Sequence, residues 1–234
     1  VTLFAEDLRE AVCRANLALV ESGLAIGTFG NVSGLDRKAG VMAIKPSGVP
    51  YDRLTPARIV PVSVDTGQVL DGDLRPSSDT PTHLELYRAF GCGGIAHTHS
   101  PMATAFAEAR LPIRCLGTTH ADHFRGDVPV TRPLTREEVT GEYERHTGLV
   151  IVETFRGSGR EPGEIPAVLV ASHGPFTWGD GPDEAVEHAR ILEHLAHVQR
   201  IVRLLDPDAA GPEGFLVDRH FLRKHGKGAY YGQP

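Results

Sequence analysis

His97 and His99 stand on alternate positions at the end of the apolar run GGIAHTH, residues 93–99. Alternation is a strand signature, and residues two apart on a strand face the same way. Two imidazoles side by side can share one cation. The same pattern also fits two half-buried histidines satisfied by backbone groups. Two further residues bear on the choice. His173 ends a second apolar run, IPAVLVASHGPF, where a Gly-Pro turn is predicted, and Asp79 sits at a helix start in SSDTP. Three histidines, with or without one carboxylate, suit Zn²⁺, which takes His nitrogen and carboxylate oxygen at roughly 2.0–2.2 Å. Three protein ligands with open positions make a catalytic pattern, and four closed ligands a structural one. No cysteine lies near these histidines in the sequence, which argues against a structural zinc.

Three small-residue segments could hold an anion: GNVSG (Gly30 to Gly34), KPSG (Lys45 to Gly48) and PSSD (Pro76 to Asp79). Each offers backbone N–H groups without bulky neighbours, and small hydroxyl or amide donors. With Lys45 they could form a phosphate cradle; each alone also reads as an ordinary turn. There is no GxxxxGK[ST] pattern, so this is not a nucleotide P-loop. The polar stretch GTTHADHFRGDVP, residues 117–129, gathers His120, Asp122, His123 and Asp127. Asp122 could serve as a general acid or base, although the stretch alone reads as a solvated loop. Tyr230 and Tyr231 are either packed or able to move a proton. His188, His194 and His197 read as structural or surface residues of a long helix, and Trp178 as packing.

Strands and helices must position these residues. Residues 6–22 have an amphipathic helical stripe at Leu8, Val12, Ala15 and Leu19, ended by Gly23. A glycine-rich stretch then leads to a predicted strand, GVMAIKPSG, and a second, IVPVSVDTG. RPSSDTPTHLELYRAF starts a helix, with Ser78, Asp79 and Thr80 as N-cap types and Pro81 in the first turn. GIAHTH predicts a strand, and Ser100-Pro101 opens a helix to Ala109. Thr135 and Glu138 have capping-box spacing. LVIVETF and IPAVLVAS predict two more strands. A long helix from about Asp183 to Leu205 follows, then a tail that starts helical and ends irregular. Alternating strands and helices with short connections predict one layered α/β domain over residues 1–234.

The net charge of −6, with acids and bases interspersed, argues against a general nucleic-acid binder. Three cysteines at wide spacing, with no CxxC pair, fit a reduced, cytoplasmic protein rather than a disulfide scaffold. No signal-peptide pattern and no apolar run of about 18 residues is present. No membrane partner is expected, and the sequon at Asn31 is expected to go unused.

Several long blocks carry a family resemblance: GNVSGLDRKAGVMAIKPSGVPYDRLT, RPSSDTPTHLELYRAF (Arg75 stands where the family often has lysine), GGIAHTHS, LGTTHADHF, GEYERHTG, VIVETF, SHGPFTWG and RHFLRKHGKGAYYGQ. In this order, from the first helix to the tail, they resemble the L-ribulose-5-phosphate 4-epimerases of the class II aldolase family. The resemblance implies a three-layer α/β/α fold around a central, mainly antiparallel sheet. It implies a homotetramer with active sites between adjacent subunits, acting on a small sugar phosphate. Asp79, His97, His99 and His173 fall on the metal positions, for Zn²⁺ or another divalent ion such as Mn²⁺ or Co²⁺. Gly30, Asn31, Lys45, Ser47, Gly48, Ser77 and Ser78 fall on substrate and phosphate positions. Asp122 and Tyr231 fall on the acid/base pair, from the neighbouring subunit, and His220 on a supporting position. Two residues depart from the family: His123 stands where tyrosine is common, and Ala171 where histidine is common. Sugar-phosphate aldolases of the L-fuculose 1-phosphate type share the histidines but resemble one another in carrying Glu where this chain has Asp79, which favours the epimerase. A dehydratase of the same fold is disfavoured on the same grounds. A non-catalytic scaffold of the adducin type would have no use for ligands, anion loops and acid/base groups together.

Overall fold

The computed structural model describes residues 3–231. Gly232, Gln233 and Pro234, the irregular end of the tail motif, lie outside the described residues. Helix α1 (Leu3–Glu21) buries Val12, Ala15 and Leu19, an i, i+3, i+7 stripe. Six strands follow along the chain: β1 (Asn31–Asp36), β2 (Val41–Ile44), β3 (Val60–Ser63), β4 (Gly94–His97), β5 (Ala167–Val170) and β6 (Gly174–Gly179). They form one sheet in the order β3-β2-β1-β4-β6-β5, with every neighbouring pair antiparallel. The other helices are α2 (Thr80–Ala89), α3 (Pro101–Glu108), α4 (Thr118–Ala121), α5 (Arg136–Thr140), α6 (Tyr143–Arg156), α7 (Pro182–Leu205) and α8 (Gly214–His225).

Alternate strand residues face opposite sides of the sheet. Met42, Ile44, Val60, Val62 and Ile95 join Leu84 and Leu86 of α2 and Ile151 and Phe155 of α6 in one core. Val32, Ala43 and Ala96 face the other way, onto Val12 and Leu19 of α1 and Ala185 and Ala189 of α7. The result is the expected α/β/α layering. No helix among the described residues is long and apolar enough to cross a membrane. Cys13, Cys92 and Cys115 are free and buried.

Several local expectations change. VIVETF is not a strand but the C-terminal half of α6. Its β-branched run has strand propensity, yet Thr147, Gly148, Ile151, Val152 and Phe155 are buried at helical spacing, and α6 packs along α2. Packing overrides propensity there. GNVSG is not only a loop: residues from Asn31 on form β1. The buried Asn16 of α1 stitches that strand in place, accepting from Val32 N at 2.8 Å and donating to Val32 O at 3.0 Å. The Gly174-Pro175 pair opens β6, an interior strand, instead of making a turn. Proline is tolerated near a strand start. The predicted capping box is present at Thr135 and Glu138. The 117–129 stretch is not merely a solvated loop, because His120, Ala121, Phe124 and Val128 are buried.

Gly94, the first residue of β4, runs against the chain entering α7. A Cβ there would fall 2.2 Å from the Gly181 carbonyl carbon, and its nearest atoms all belong to the Gly181–Pro182 peptide rather than to a flexible side chain. Gly94→Ala is expected to destabilise the fold by at least about 1–3 kcal/mol. A guanidinium denaturation midpoint unchanged from the parent would contradict this packing.

Candidate functional site

His97 closes β4. Its ring is buried and stacks on Phe176 of β6, with centroids 4.1 Å apart. Its Nδ1 donates to the Pro175 carbonyl oxygen at 2.9 Å. That bond fixes the tautomer and leaves a lone pair on Nε2. Nε2 lies 3.1 Å from His99 Nε2. His99 itself lies beyond the end of β4, so the strand ends one residue into the predicted His-x-His run. His173 arrives on the tight turn between β5 and β6, where Ser172 takes φ +63°. A non-glycine residue in that left-handed region costs roughly 1–2 kcal/mol. The three histidines each offer a nitrogen, all within 4.8 Å of one another. Burial, then the neighbouring histidines, lowers the pKa of His99 and brings His173 down to about 4. Both are therefore neutral ligand candidates at pH 7.

Asp79 occupies the N-cap position of α2 without capping it. Its Oδ2 instead accepts from Asn31 Nδ2 at 2.7 Å. The same Asn31 group reaches Ser77 Oγ at 3.1 Å. Burial would raise the Asp79 pKa, but His97, His83, Asn31 and His173 together hold it below the ordinary carboxylate range. The ligand-atom cluster found among the described residues is the three histidines, and Asp79 lines the same cavity without belonging to it. Three imidazoles, two of them held neutral, with an anionic carboxylate in the same cavity, suit a divalent cation such as Zn²⁺.

The anion candidates share this cavity. It has a volume of about 420 Å³ and is lined by Gly30, Asn31, Lys45, Ser47, Gly48, Ser77, Ser78, Asp79, His97, His99 and His173. Gly30 has φ +76°, and a Cβ there would sit 2.9 Å from the His97 carbonyl oxygen, so the residue lets the two segments approach. The KPSG and PSSD turns are one scaffold. Pro46 and Pro76 form an antiparallel bridge, flanked by Ser47 N to Arg75 O at 2.9 Å and Ser77 N to Lys45 O at 3.0 Å. Lys45 is 2 % exposed, its Nζ 3.4 Å from the Thr28 carbonyl oxygen and 4.7 Å from the centre of the Tyr51 ring. Burial lowers its pKa. A buried ammonium near uncharged groups is costly unless an anion joins it.

The cavity also holds residues to which the sequence reading gave no role. Phe29 is 59 % exposed at its edge, 6.1 Å from the His99 ring. Tyr143 and Glu144 reach it from the start of α6, with Tyr143 Oη 3.4 Å from His173 Nδ1. The block GEYERHTG contained both, but its place in the fold was needed to bring them here. His188 bonds the Trp178 carbonyl oxygen, whereas His194 and His197 are exposed, and none lines the cavity.

Asp122, His220 and Tyr231 do not line it either. They form a second cluster between α4 and α8. Arg223 grips Asp122 with two bonds, Nε to Oδ1 at 2.9 Å and Nη2 to Oδ2 at 2.6 Å, and His220 Nδ1 lies 3.0 Å from Oδ1. Burial would raise the Asp122 pKa, but the bonds from Arg223 and His220 hold it below the usual range. The exposed Tyr231 ring lies 4.9 Å from the Arg223 guanidinium and 4.5 Å from Lys224 Nζ. His123, the departure from the tyrosine pattern, has Nε2 3.4 Å from the same Lys224 Nζ. Ala171 is buried, its N–H on Thr131 Oγ1.

Two buried histidines outside the ligand candidates give a pH expectation. Burial brings His83 down to about 3 and His120 to about 4, from 6.5. Below pH 6.5 the unfolded chain takes up protons that the folded chain refuses. Stability is therefore complete above that pH and falls as pH falls towards about 4, by up to about 1.4 kcal/mol per pH unit for each histidine. Urea midpoints of the metal-free protein at pH 7, 6 and 5 test this. A His120→Gln variant should show a shallower decline.

The sequence profile of the family described as "Class II Aldolase and Adducin N-terminal domain" matches residues 10–200. Helix α8, with His220 and the approach to Tyr231, lies outside that match. Among solved structures, YgbL from Escherichia coli, described as "a putative aldolase/epimerase/decarboxylase", is 27 % identical, with a TM-score of 0.72 over 92 % of this chain and 98 % of that one. The L-fuculose-1-phosphate aldolase of Thermus thermophilus is 28 % identical, with a TM-score of 0.65 over 88 % and 98 %. A further L-fuculose 1-phosphate aldolase, 24 % identical with a TM-score of 0.76 over 92 % and 94 %, shares the fold.

Proposed function

The chain belongs to the class II aldolase and adducin N-terminal domain family, and from that premise we propose that it interconverts L-ribulose 5-phosphate and D-xylulose 5-phosphate. The observation that carries the reading is one cavity in which a cation donor set meets a phosphate-type cradle built around the buried Lys45.

The chemistry explains the combination. The hydrogen on C4 of a 2-ketopentulose 5-phosphate is not next to the carbonyl, so simple deprotonation is a poor route to inversion. Breaking C3–C4 solves this. A base takes the C4 hydroxyl proton, C4 becomes the aldehyde of glycolaldehyde phosphate, and the bonding pair passes into an enediolate over C2 and C3. The aldehyde turns its other face, the bond re-forms, and an acid returns a proton to the C4 oxygen.

His97, His99, His173 and Asp79 would hold the cation, Zn²⁺ in the first instance, with Mn²⁺ and Co²⁺ as other occupants. When bound, a divalent cation with open positions supplies Lewis-acid stabilisation of negative charge on the ketose fragment. Lys45, Ser47, Gly48, Ser77 and Ser78 grip the phosphate and keep the aldehyde fragment from escaping. Gly30 and Asn31 shape the floor between the two. Asp122 and Tyr231 act as the acid/base pair from an adjacent subunit of a homotetramer, with His220 steadying Asp122. The setting is a cytoplasmic one.

A second reading is a sugar-phosphate aldolase that releases its fragment. The 28 % identity to the Thermus thermophilus L-fuculose-1-phosphate aldolase favours it. One experiment separates the two. The zinc-loaded protein is incubated with L-ribulose 5-phosphate, and D-xylulose 5-phosphate is followed before and after chelation. Metal-dependent interconversion is expected. Release of glycolaldehyde phosphate and dihydroxyacetone without the epimer would replace the epimerase by the aldolase.

A further inference from the structure

Behind the cavity, in the core on the α2 side of the sheet, lies a polar chain that the proposed reaction does not use. Tyr87 Oη is 2.8 Å from Ser33 Oγ, which is 2.7 Å from His83 Nδ1. All three residues are at most 1 % exposed. The other ring nitrogen, His83 Nε2, is buried with no hydrogen-bond partner among the described residues. A buried polar group left unpaired costs about 1–3 kcal/mol, and packing alone would be served better by an apolar side chain.

The chain is in register with the site. Ser33 is two residues along β1 from Asn31, on the same face of the strand. His83 is one turn after Asp79 on α2 and shares its helix face. The His83 ring meets Phe176 edge-on at 6.0 Å, and Phe176 is the residue on which His97 stacks. The titratable groups that act on His83 are Asp79 and His97. Of these, Asp79 is the anion. Two proton arrangements fit this chain, because either hydroxyl can donate between Tyr87 and Ser33. The nearby Asp79 anion favours the one in which Tyr87 donates to Ser33 Oγ and Ser33 donates to His83 Nδ1. In that arrangement the ring proton of His83 sits on Nε2, the unpaired atom.

We propose that His83 is a positioning residue for Asp79: the Tyr87–Ser33 relay sets its Nε2 proton, and that N–H restrains the Asp79 carboxylate through one water in the orientation that meets the cation. Asn31 restrains the carboxylate from its amide side, at Oδ2. The inference rests on the reading of Asp79 as a ligand and names a partner that reading lacks.

The test measures Zn²⁺ affinity of the metal-free protein by competition with a chromophoric chelator, so it needs no substrate. His83→Phe is expected to weaken zinc binding about 10–100-fold. In an Asp79→Asn background the same change is expected to cost less than about threefold, because the carboxylate it acts on is gone. His83→Gln, which keeps an N–H donor at the reach of Nε2, should recover most of the loss. Ser33→Ala, a smaller change to the core, removes the relay and should weaken zinc binding in the same direction, which covers the case in which His83→Phe fails to fold. An equal loss in both Asp79 backgrounds, or wild-type affinity in His83→Phe, would overturn the inference while leaving the site reading intact. Failure of the parent protein to bind zinc would remove both.

Discussion

His97→Ala is expected to strip the protein of zinc and lower turnover of L-ribulose 5-phosphate by at least about a thousandfold. Two losses coincide at this residue. Alanine removes the Nε2 that faces His99, and it removes the ring stacked on Phe176 at 4.1 Å. The neutral His99 and His173 would be left as a pair that no longer encloses a cation. Metal analysis after dialysis, beside the turnover assay, checks both losses at once. His194→Ala, on the exposed side of α7, is the control and should change neither. A His97→Ala protein that keeps zinc and turns over normally would end the proposed mechanism.

Asp122→Asn should slow the interconversion by about 10²–10⁴-fold, the range for loss of a positioned acid or base, with zinc content unchanged. The separation of effects follows from geometry, because Asp122 is held by α8 and does not line the cavity of its own chain. Asparagine is close to isosteric and keeps one acceptor for Arg223 or His220, so the α4–α8 contact should survive. Equilibrium unfolding should confirm that. Loss of zinc in this variant would mean that Asp122 acts at the metal, and unimpaired turnover would mean that it moves no proton.

The layered fold was legible because most elements carry an unambiguous period. The α1 stripe at Val12, Ala15 and Leu19 and the strands around Met42, Ile95 and Leu169 are of this kind. Val150, Ile151 and Val152 were not, since three β-branched residues in a row satisfy a strand as well as a buried helix. Only the packing of α6 along α2 decides between them. Pro175 hid β6 for a related reason: its missing N–H discounts a strand, and the ladder tolerates it only because it lies near the start. In the site, residue type and spacing pointed to His97, His99 and His173, although His99 reaches its partners from beyond the strand that was meant to align it. His83 was invisible. A histidine four residues after Asp79 in an amphipathic helix looks like any other, and its total burial and lone unpaired nitrogen exist only in three dimensions.

The His97–Pro175 hydrogen bond joins positions 78 residues apart in the chain. It can form only when β4 and β6 are already paired, and that pairing encloses α3 to α6. Closing so long a loop raises the contact order of the fold. The ligand cluster is therefore expected to form late in folding. A metal bound there should then act on the native state more than on the folding barrier, and the expected kinetic signature is slower unfolding at an unchanged folding rate.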